Sequence, residues 1–555
     1  LISGAGLAGG GALGMTADHI SVCRATRDSG CRERFASLWW RPRIEPEGTA
    51  MTLRTWLRPA IPAFATVLLA ATAITPAARA QTAPVSAEQA KVVEGNIRAW
   101  IAGQIGAAVD VSTLPLRVVA ETDSYQLEVP FGGLIADGAV HMDDGKVTLR
   151  VKQLDDHRWS IEDFRLPSPW TFSVDKSLQD ASKEGFSGLT IKIGDQDTHG
   201  VLDTSLATTS TVDTKIQGYT VVVQGKQGPQ TTRVDGLTSH MAWQPTADGL
   251  LTMTGQSNLD GYKAATVLPD GQKLAIDIAH MRASLTAKGV AMADMGTMIH
   301  SVAQLIASAK AIQASGAPKP DGIPDADKAT VKALVKALAG LMGSLTTDTS
   351  YEDVKVDVGG QAGSLHKLSI GFDMAAPKGR ADIAWRIGLE GLESPMIPPG
   401  VYRDYLPREV KLTPHIGGIP KAALLDLVLK SIDDPDAADN FMPMATALLE
   451  KGPLVLGVKD ISLDLGPAKL TGGGAVKVTS VADYSGAGEF RVTGLDALIQ
   501  RVNATPELKQ AGPGLIFVKG IGHQDGKVTV WKIRYEGNKL FINDTDMSAM
   551  IPGGK

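Results

Sequence analysis

The chain has 555 residues, with 55 Lys and Arg against 60 Asp and Glu for a net charge of −5, 60 glycines and 5% aromatic residues. An acidic balance with no basic tract argues against nucleic acid and against a polybasic lipid-headgroup site. A mean hydropathy near zero and abundant glycine fit a globular protein of many short strands and turns, long enough for two or more domains.

The first legible element lies fifty residues in. Arg54 and Arg58, the apolar run Ala60 to Ile74 and the small residues of Ala78-Arg79-Ala80 before Gln81 form the three parts of a secretory signal. The run is shorter than the ~20 residues a membrane span needs, so export rather than anchoring is expected. A signal is read at an N-terminus, so translation is expected to start at Met51. On that reading residues 1–50 are upstream, non-native and without a fold, and 51–80 are the signal peptide, cleaved between Ala80 and Gln81. Gly4-Ala5-Gly6-Leu7-Ala8-Gly9 fits a dinucleotide-binding turn but lacks the leading strand and following helix that make one work. Both cysteines, Cys23 and Cys31, precede Gln81, so the mature chain would carry no disulfide and no Cys-ligated metal. It would hold 46 basic against 55 acidic residues, a net −9, in the periplasm of a Gram-negative bacterium.

Ser86 and Gln89 make a capping box for a helix whose Val93, Ile97, Trp100, Ile101 and Ile105 share one face. From Leu116 to about Gly289 the period becomes two, as in Lys146–Lys152 and Leu189–Ile193, with turn signals at Asp144-Gly145 and Pro269-Asp270-Gly271. Short connections predict antiparallel pairing. Residues 291–346 read as a helical hairpin. Its stripes are Met295, Met298, Val302, Leu305, Ala309, Ile312 and Val331, Leu334, Val335, Leu338, Leu341, Met342, Leu345, separated by the breaker Gly316–Pro324.

Alternation returns at Val354–Val358, Leu368–Met374 and Ile383–Leu389. Helices follow from Pro420 and over Asp439–Glu450, then strands at Leu454–Leu465 and Lys469–Val478 and a helix through Leu495–Val502. A hairpin around Glu536-Gly537-Asn538 closes the chain. The expected fold is α+β and mainly antiparallel: a β-rich unit over 81–290, the helical hairpin, and a second β-rich unit over 347–555 with inserted helices.

Catalytic signatures are sparse. There is no G-x-S-x-G, and the S-x-x-K matches Ser173–Lys176 and Ser364–Lys367 lack the companion motifs of penicillin-recognising enzymes. Nine scattered His form no H-E-x-x-H. Asp195 and Asp197 in Gly194–Gly200 are the best cation candidates, but the twelfth position of a calcium loop counted from Asp195 is Leu206, so a polar turn between strands is expected. The acidic Asp433–Asp439 reads as a solvated connection that caps the next helix. No catalytic residue, metal or cofactor is assigned. Met292, Met295 and Met298 are the candidate contacts for an apolar ligand or partner, since thioethers adapt to irregular surfaces, although ordinary core explains them as well.

The stretches "KGPLVLGVKDISLDLGPAKLTGGGAVKV" (Lys451–Val478) and "VTVWKIRYEGNKLFIND" (Val528–Asp544) resemble the uncharacterised YdgA-like exported bacterial proteins and, more distantly, AsmA-like envelope proteins. The resemblance covers at most the last two hundred residues and implies a β-rich, envelope-located protein with no established enzyme activity. The leading expectation is a non-enzymatic periplasmic protein that holds lipid or another apolar ligand in a sheet groove. The alternatives are an envelope hydrolase built from distant carboxylates and a structural partner of an outer-membrane complex.

Overall fold

The computed structural model describes residues 85–550 except 106–114, 131–139, 143–144, 176–185, 207, 227, 269–270, 316–321, 342, 377–378, 395–402, 404, 435–440 and 481. The described residues belong to one compact unit. The signal-like stretch, with Ala78, Ala80 and Gln81, and the glycine motif lie outside them.

The chain opens with α1 (Ala87–Ile105), capped where the sequence places a cap: Ser86 Oγ accepts from Gln89 N–H at 3.1 Å. Val93, Ile97 and Ile101 of its apolar face are buried. Short strands follow, β1 (Arg117–Ala120), β2 (Tyr125–Pro130), β3 (Val140–Met142), β4 (Lys146–Gln153), β5 (Arg158–Arg165) and β6 (Trp170–Val174).

Long strands then run back and forth: β7 (Gly188–Asp203), β8 (Thr208–Gly225), β9 (Gly228–Pro245), β10 (Leu251–Val267) and β11 (Lys273–Val290). After helices α2 (Met292–Ser315) and α3 (Asp325–Gly340) come β12 (Ser344–Val358), β13 (Gln361–Ala375), β14 (Arg380–Glu393) and β15 (Glu409–Pro420). Helices α4 (Lys421–Asp433) and α5 (Phe441–Leu449) lead to β16 (Leu454–Asp464), β17 (Lys469–Val478) and β18 (Tyr484–Thr493). The last elements are α6 (Leu495–Ala504), α7 (Gly512–Gly520), β19 (His523–Asp525), β20 (Val528–Glu536), β21 (Lys539–Ile542) and β22 (Thr545–Asp546).

All described strands lie in one open sheet, and all pairing is antiparallel. From β7 each strand neighbours the next as far as β18, which pairs with β20. At β7 the sheet forks. Residues 188–191 pair with β6 and residues 200–203 with β5. Between these, Gln196 bonds both backbone groups of Leu166, and Ser168 Oγ bridges the N–H and C=O of Ile193, so side chains satisfy the edge that no strand covers.

Several expectations are corrected. Gly194–Gly200 is not a turn: Asp195 and Asp197 sit in mid-strand, paired with Gln217 and Lys215 of β8. The strands on either side of the α2–α3 segment belong to one sheet, a junction that the sequence leaves open. β11 and β12 pair from Leu274↔Val358 to Lys288↔Ser344, and Gly343 N–H donates to Lys288 C=O, so the helices leave and re-enter between adjacent strands. Leu345 belongs to β12 rather than to the second helix, which ends at Gly340. Pro420 is the cap of α4 rather than its first helical residue. Met342 and Asp439 lie outside the described residues.

The long strands share a crease. Gly218 in β8, Gly261 in β10, Asp353 in β12 and Gly391 in β14 have positive φ (75°, 64°, 53° and 65°). The residues opposite them on intervening strands, such as Ala279 and His366, interrupt an otherwise regular register. Left-handed residues suit glycine, and Asp is among the few side chains that tolerate them. Alternation slips by one here. On the apolar face the spacing becomes three at Leu259/Tyr262, Met281/Ile278, Tyr351/Val354, Leu368/Leu365 and Leu389/Leu392, which keeps one face apolar on both sides of the line.

Candidate apolar binding face

Cross-strand partners project from the same face of a sheet, so the register sorts the side chains. One row reads Gln196, Ile216, Leu237, Leu259, Met281, Tyr351, Leu368, Leu389, Val410, Leu463, Leu470, Val492 from β7 to β18. The neighbouring row on the other face reads Asp197, Lys215, Thr238, Asn258, Arg282, Ser350, Ser369, Gly388, Lys411, Ser462, Thr471, Arg491. From β7 to β18 the sheet thus has an apolar and a polar face.

A second apolar-face row changes character midway. It begins Thr198, Thr214, Ser239, Ser257, Ala283, Thr349 and continues Ile370, Ile387, Leu412, Ile461, Gly472, Phe490, Trp531. In its first part small hydroxyls satisfy one another, as Ser257 Oγ does with Ser239 Oγ at 3.1 Å. Around them Val234, Met241, Ile278 and Tyr351 are buried, and burial pushes the Tyr219 and Tyr351 phenols up.

In β13 and β14 the large side chains of this row stay open, as do Trp385, Leu456 and Val476 in the adjoining rows of the same face. Ile370 is 39% exposed, Trp385 38%, Ile387 43%, Leu456 43% and Val476 39%. Ile370 pairs with Ile387 and Phe372 with Trp385, and Ile383, Ile416, Leu456 and Val476 are successive partners across β15, so these are one patch rather than scattered residues. The glycines Gly472, Gly474, Gly486 and Gly488 of β17 and β18 lie in the same rows and lower the floor beside them.

Helices cover the apolar face at two places outside the patch. On one side the methionines of α2, Met292, Met295 and Met298, pack with Leu345 and Met253 against a core of Met241, Trp243, Leu251, Ala287, Val290 and Leu341. The candidate residues are therefore partly buried and seal one end of the apolar face. Ser308 of α2 bonds Asp327 of α3 at 2.8 Å, and Lys332 of α3 pairs with Asp433 of α4 at 2.6 Å, which links the helices at that end. On the other side Leu495, Leu498 and Ile499 of α6 and Leu515 of α7 cover Phe490, Val492, Trp531 and Ile533. At the sealed end the buried Trp243 Nε1 and Thr209 Oγ1 have no protein partner.

The polar face carries a depression of about 270 Å³ lined by Asp197, His199, Asp213, Lys215, His240 and Asn258. His240 Nδ1 lies 2.7 Å from Asp213 Oδ1, and His199 Nε2 lies 2.5 Å from Asp197 Oδ1. Asp197 thus reaches a histidine rather than a cation loop, and Asp195 lies outside the depression. Among the described residues no group of three His, Cys, Asp or Glu could hold a metal ion. Ser173 lies in β6, and Lys367 faces Glu352 at 3.9 Å on the polar face, while Lys176 is outside the described residues. The open patch and the crease are what sequence reasoning missed. The three-residue apolar spacing repeated on consecutive strands is the signal that would have found the crease.

The chain matches no protein-family model, no curated protein and no solved structure. No helix among the described residues is long and apolar enough to cross a membrane, which leaves strands unaddressed.

Proposed function

We propose that the protein is an exported cell-envelope protein that holds an acyl chain on the apolar face of β13–β17 without enzymatic turnover. The observation that carries this reading is the open patch of Ile370, Trp385, Ile387, Leu456 and Val476 on a sheet whose opposite face is charged. Large contiguous apolar surface is rare on a soluble protein unless something occupies it. Its dimensions suit the occupant. The distance across β13–β17 is about 19 Å at ~4.8 Å per strand, and an acyl chain reaching through one leaflet, half of a ~30 Å hydrocarbon core, is about 15 Å long. Export is supported by the signal-like stretch Met51–Gln81, which precedes the described residues.

Two experiments test the reading. The full chain purified without detergent is weighed under native and denaturing conditions, and a co-purified species of lipid mass is expected. A fluorescent fatty acid is then titrated against the parent and Ile387→Asp, with at least a tenfold loss of affinity expected in the variant. A chain that carries no lipid and binds the fatty acid without saturation ends the proposal.

The docking alternative keeps α2–α3 as a helical hairpin that meets an outer-membrane partner, and Leu338 of α3, 51% exposed, is the residue that favours it. A hydrolytic site would fall in the polar depression, where two carboxylates each hold a histidine.

A further inference from the structure

We infer that α7 is a membrane-contact element that brings the end of the apolar face against a lipid bilayer. The contact stands on the helix itself; its use as the loading edge for an acyl chain rests on the function proposed above.

The helix is fixed from one side. Leu515 and Ile521 pack into the cluster of Leu495, Ile499 and Trp531, Trp531 Nε1 donates to Val518 C=O at 2.9 Å, and Lys519 pairs with Asp496. The other side is bare: Ile516, Phe517 and Val518 are 54%, 50% and 43% exposed. From Gln510 to Val518 there is no charged residue, and Lys509 and Lys519 flank the segment. A helix apolar on all sides needs cover on all sides, and α7 has it on one.

The arrangement of the bare residues selects the cover. A helix that docks in a protein groove presents a stripe at i, i+3, i+4 and i+7. Three consecutive residues at about 100° each instead fan over roughly 200° of the helix circumference. That fan matches no groove wall and suits a fluid that conforms to it. Apolar residues between flanking lysines are what an interfacial helix offers a bilayer. A helix of about 13 Å at ~1.5 Å per residue lies on the surface rather than crossing it.

The helix also sits at one end of the apolar face. Phe490 and Val492, which pack against the same buried cluster as Leu515, are the β18 members of the two apolar rows that run back across the sheet to Ile387 and Leu389. The buried side of α7 therefore rests on the end of the rows that carry the open patch, while its bare side faces outward.

The test is co-sedimentation of the full chain with vesicles of phosphatidylethanolamine and phosphatidylglycerol, and of phosphatidylcholine alone, for the parent and for Ile516→Ser/Phe517→Ser/Val518→Ser. The parent is expected to sediment with both, and the triple variant at least tenfold less, with its thermal melt and fatty-acid titration unchanged. Equal sedimentation of parent and variant overturns the inference. So does a parent that stays free of vesicles but forms a dimer which the variant loses, because the cover is then a second copy. Ile387→Asp separates the two proposals. If it abolishes fatty-acid binding and leaves vesicle binding intact, the contact is independent of the patch; if vesicle binding falls with it, the membrane signal comes from the patch and α7 is not the contact.

Discussion

The same cross-strand row has small side chains, hydroxyls and one alanine, over β7–β12 and large aliphatics over β13–β16. Thr198, Thr214, Ser239, Ser257, Ala283 and Thr349 leave little side chain to cover, and hydroxyl pairing satisfies part of what there is. Ile370 and Ile387 stand 39% and 43% exposed, Leu412 and Ile461 are half-buried, and helices α2, α6 and α7 pack on the two ends of the face. Equal alternation of apolar and polar residues thus gives two outcomes, and side-chain volume along the row decides between them.

Two tryptophans of the apolar face, Trp243 and Trp385, offer the hardest test of that contrast. Trp243 is buried at the helix-sealed end and Trp385 stands open, so Trp243→Ala should cost about 3–5 kcal/mol in denaturant unfolding and Trp385→Ala about 1 kcal/mol or less. Equal costs would mean that the patch is covered.

The crease comes next in size. A Cβ at Gly391 would sit 2.8 Å from His366 Cβ at a φ of 65°, so Gly391→Val should lower stability by about 1–3 kcal/mol. Asp353→Gly should stay within about 1 kcal/mol of the parent, because glycine accepts the same backbone and only an exposed pair with His366 is lost. Reversal of that order in thermal melts would remove the crease from the account.

The smallest effect belongs to the periphery. The Arg158 guanidinium and the His157 N–H hold the Asp155 carboxyl at about 2. Its pKa is depressed on folding, so its contribution is complete above the ordinary carboxylate value and is lost as pH falls toward about 2. Asp155→Asn should narrow its stability gap to the parent between about pH 5 and about pH 2. A gap that stays constant over that range would show that the pair does not couple to folding.

Much of the fold is legible in local pattern. Ser86 announces α1, and the period-two runs announce β4, β12, β13 and β14, because a half-buried strand must alternate. The crease is not legible by the same rule. Where Leu189–Ile193 ends and Gly194 begins, a slip of one in the alternation looks like the end of a short strand, and so the rest of β7 resembled a turn. Helix α7 hides behind Gly512-Pro513-Gly514, which reads as a breaker, although proline is tolerated in a first turn. The open patch is invisible for another reason: Ile383–Leu389 alternates as any covered strand does, and what lies over a face depends on tertiary packing alone.

Labels at two positions of one row distinguish an occupied patch from a covered sheet. With Cys23 and Cys31 replaced by serine, Ile387→Cys and Ala283→Cys each carry a polarity-sensitive fluorophore, and palmitate is added. An acyl chain held on the open patch gives a saturable blue shift at position 387 and leaves position 283 unmoved. Equal shifts at both positions, or none at 387, would contradict an occupied patch.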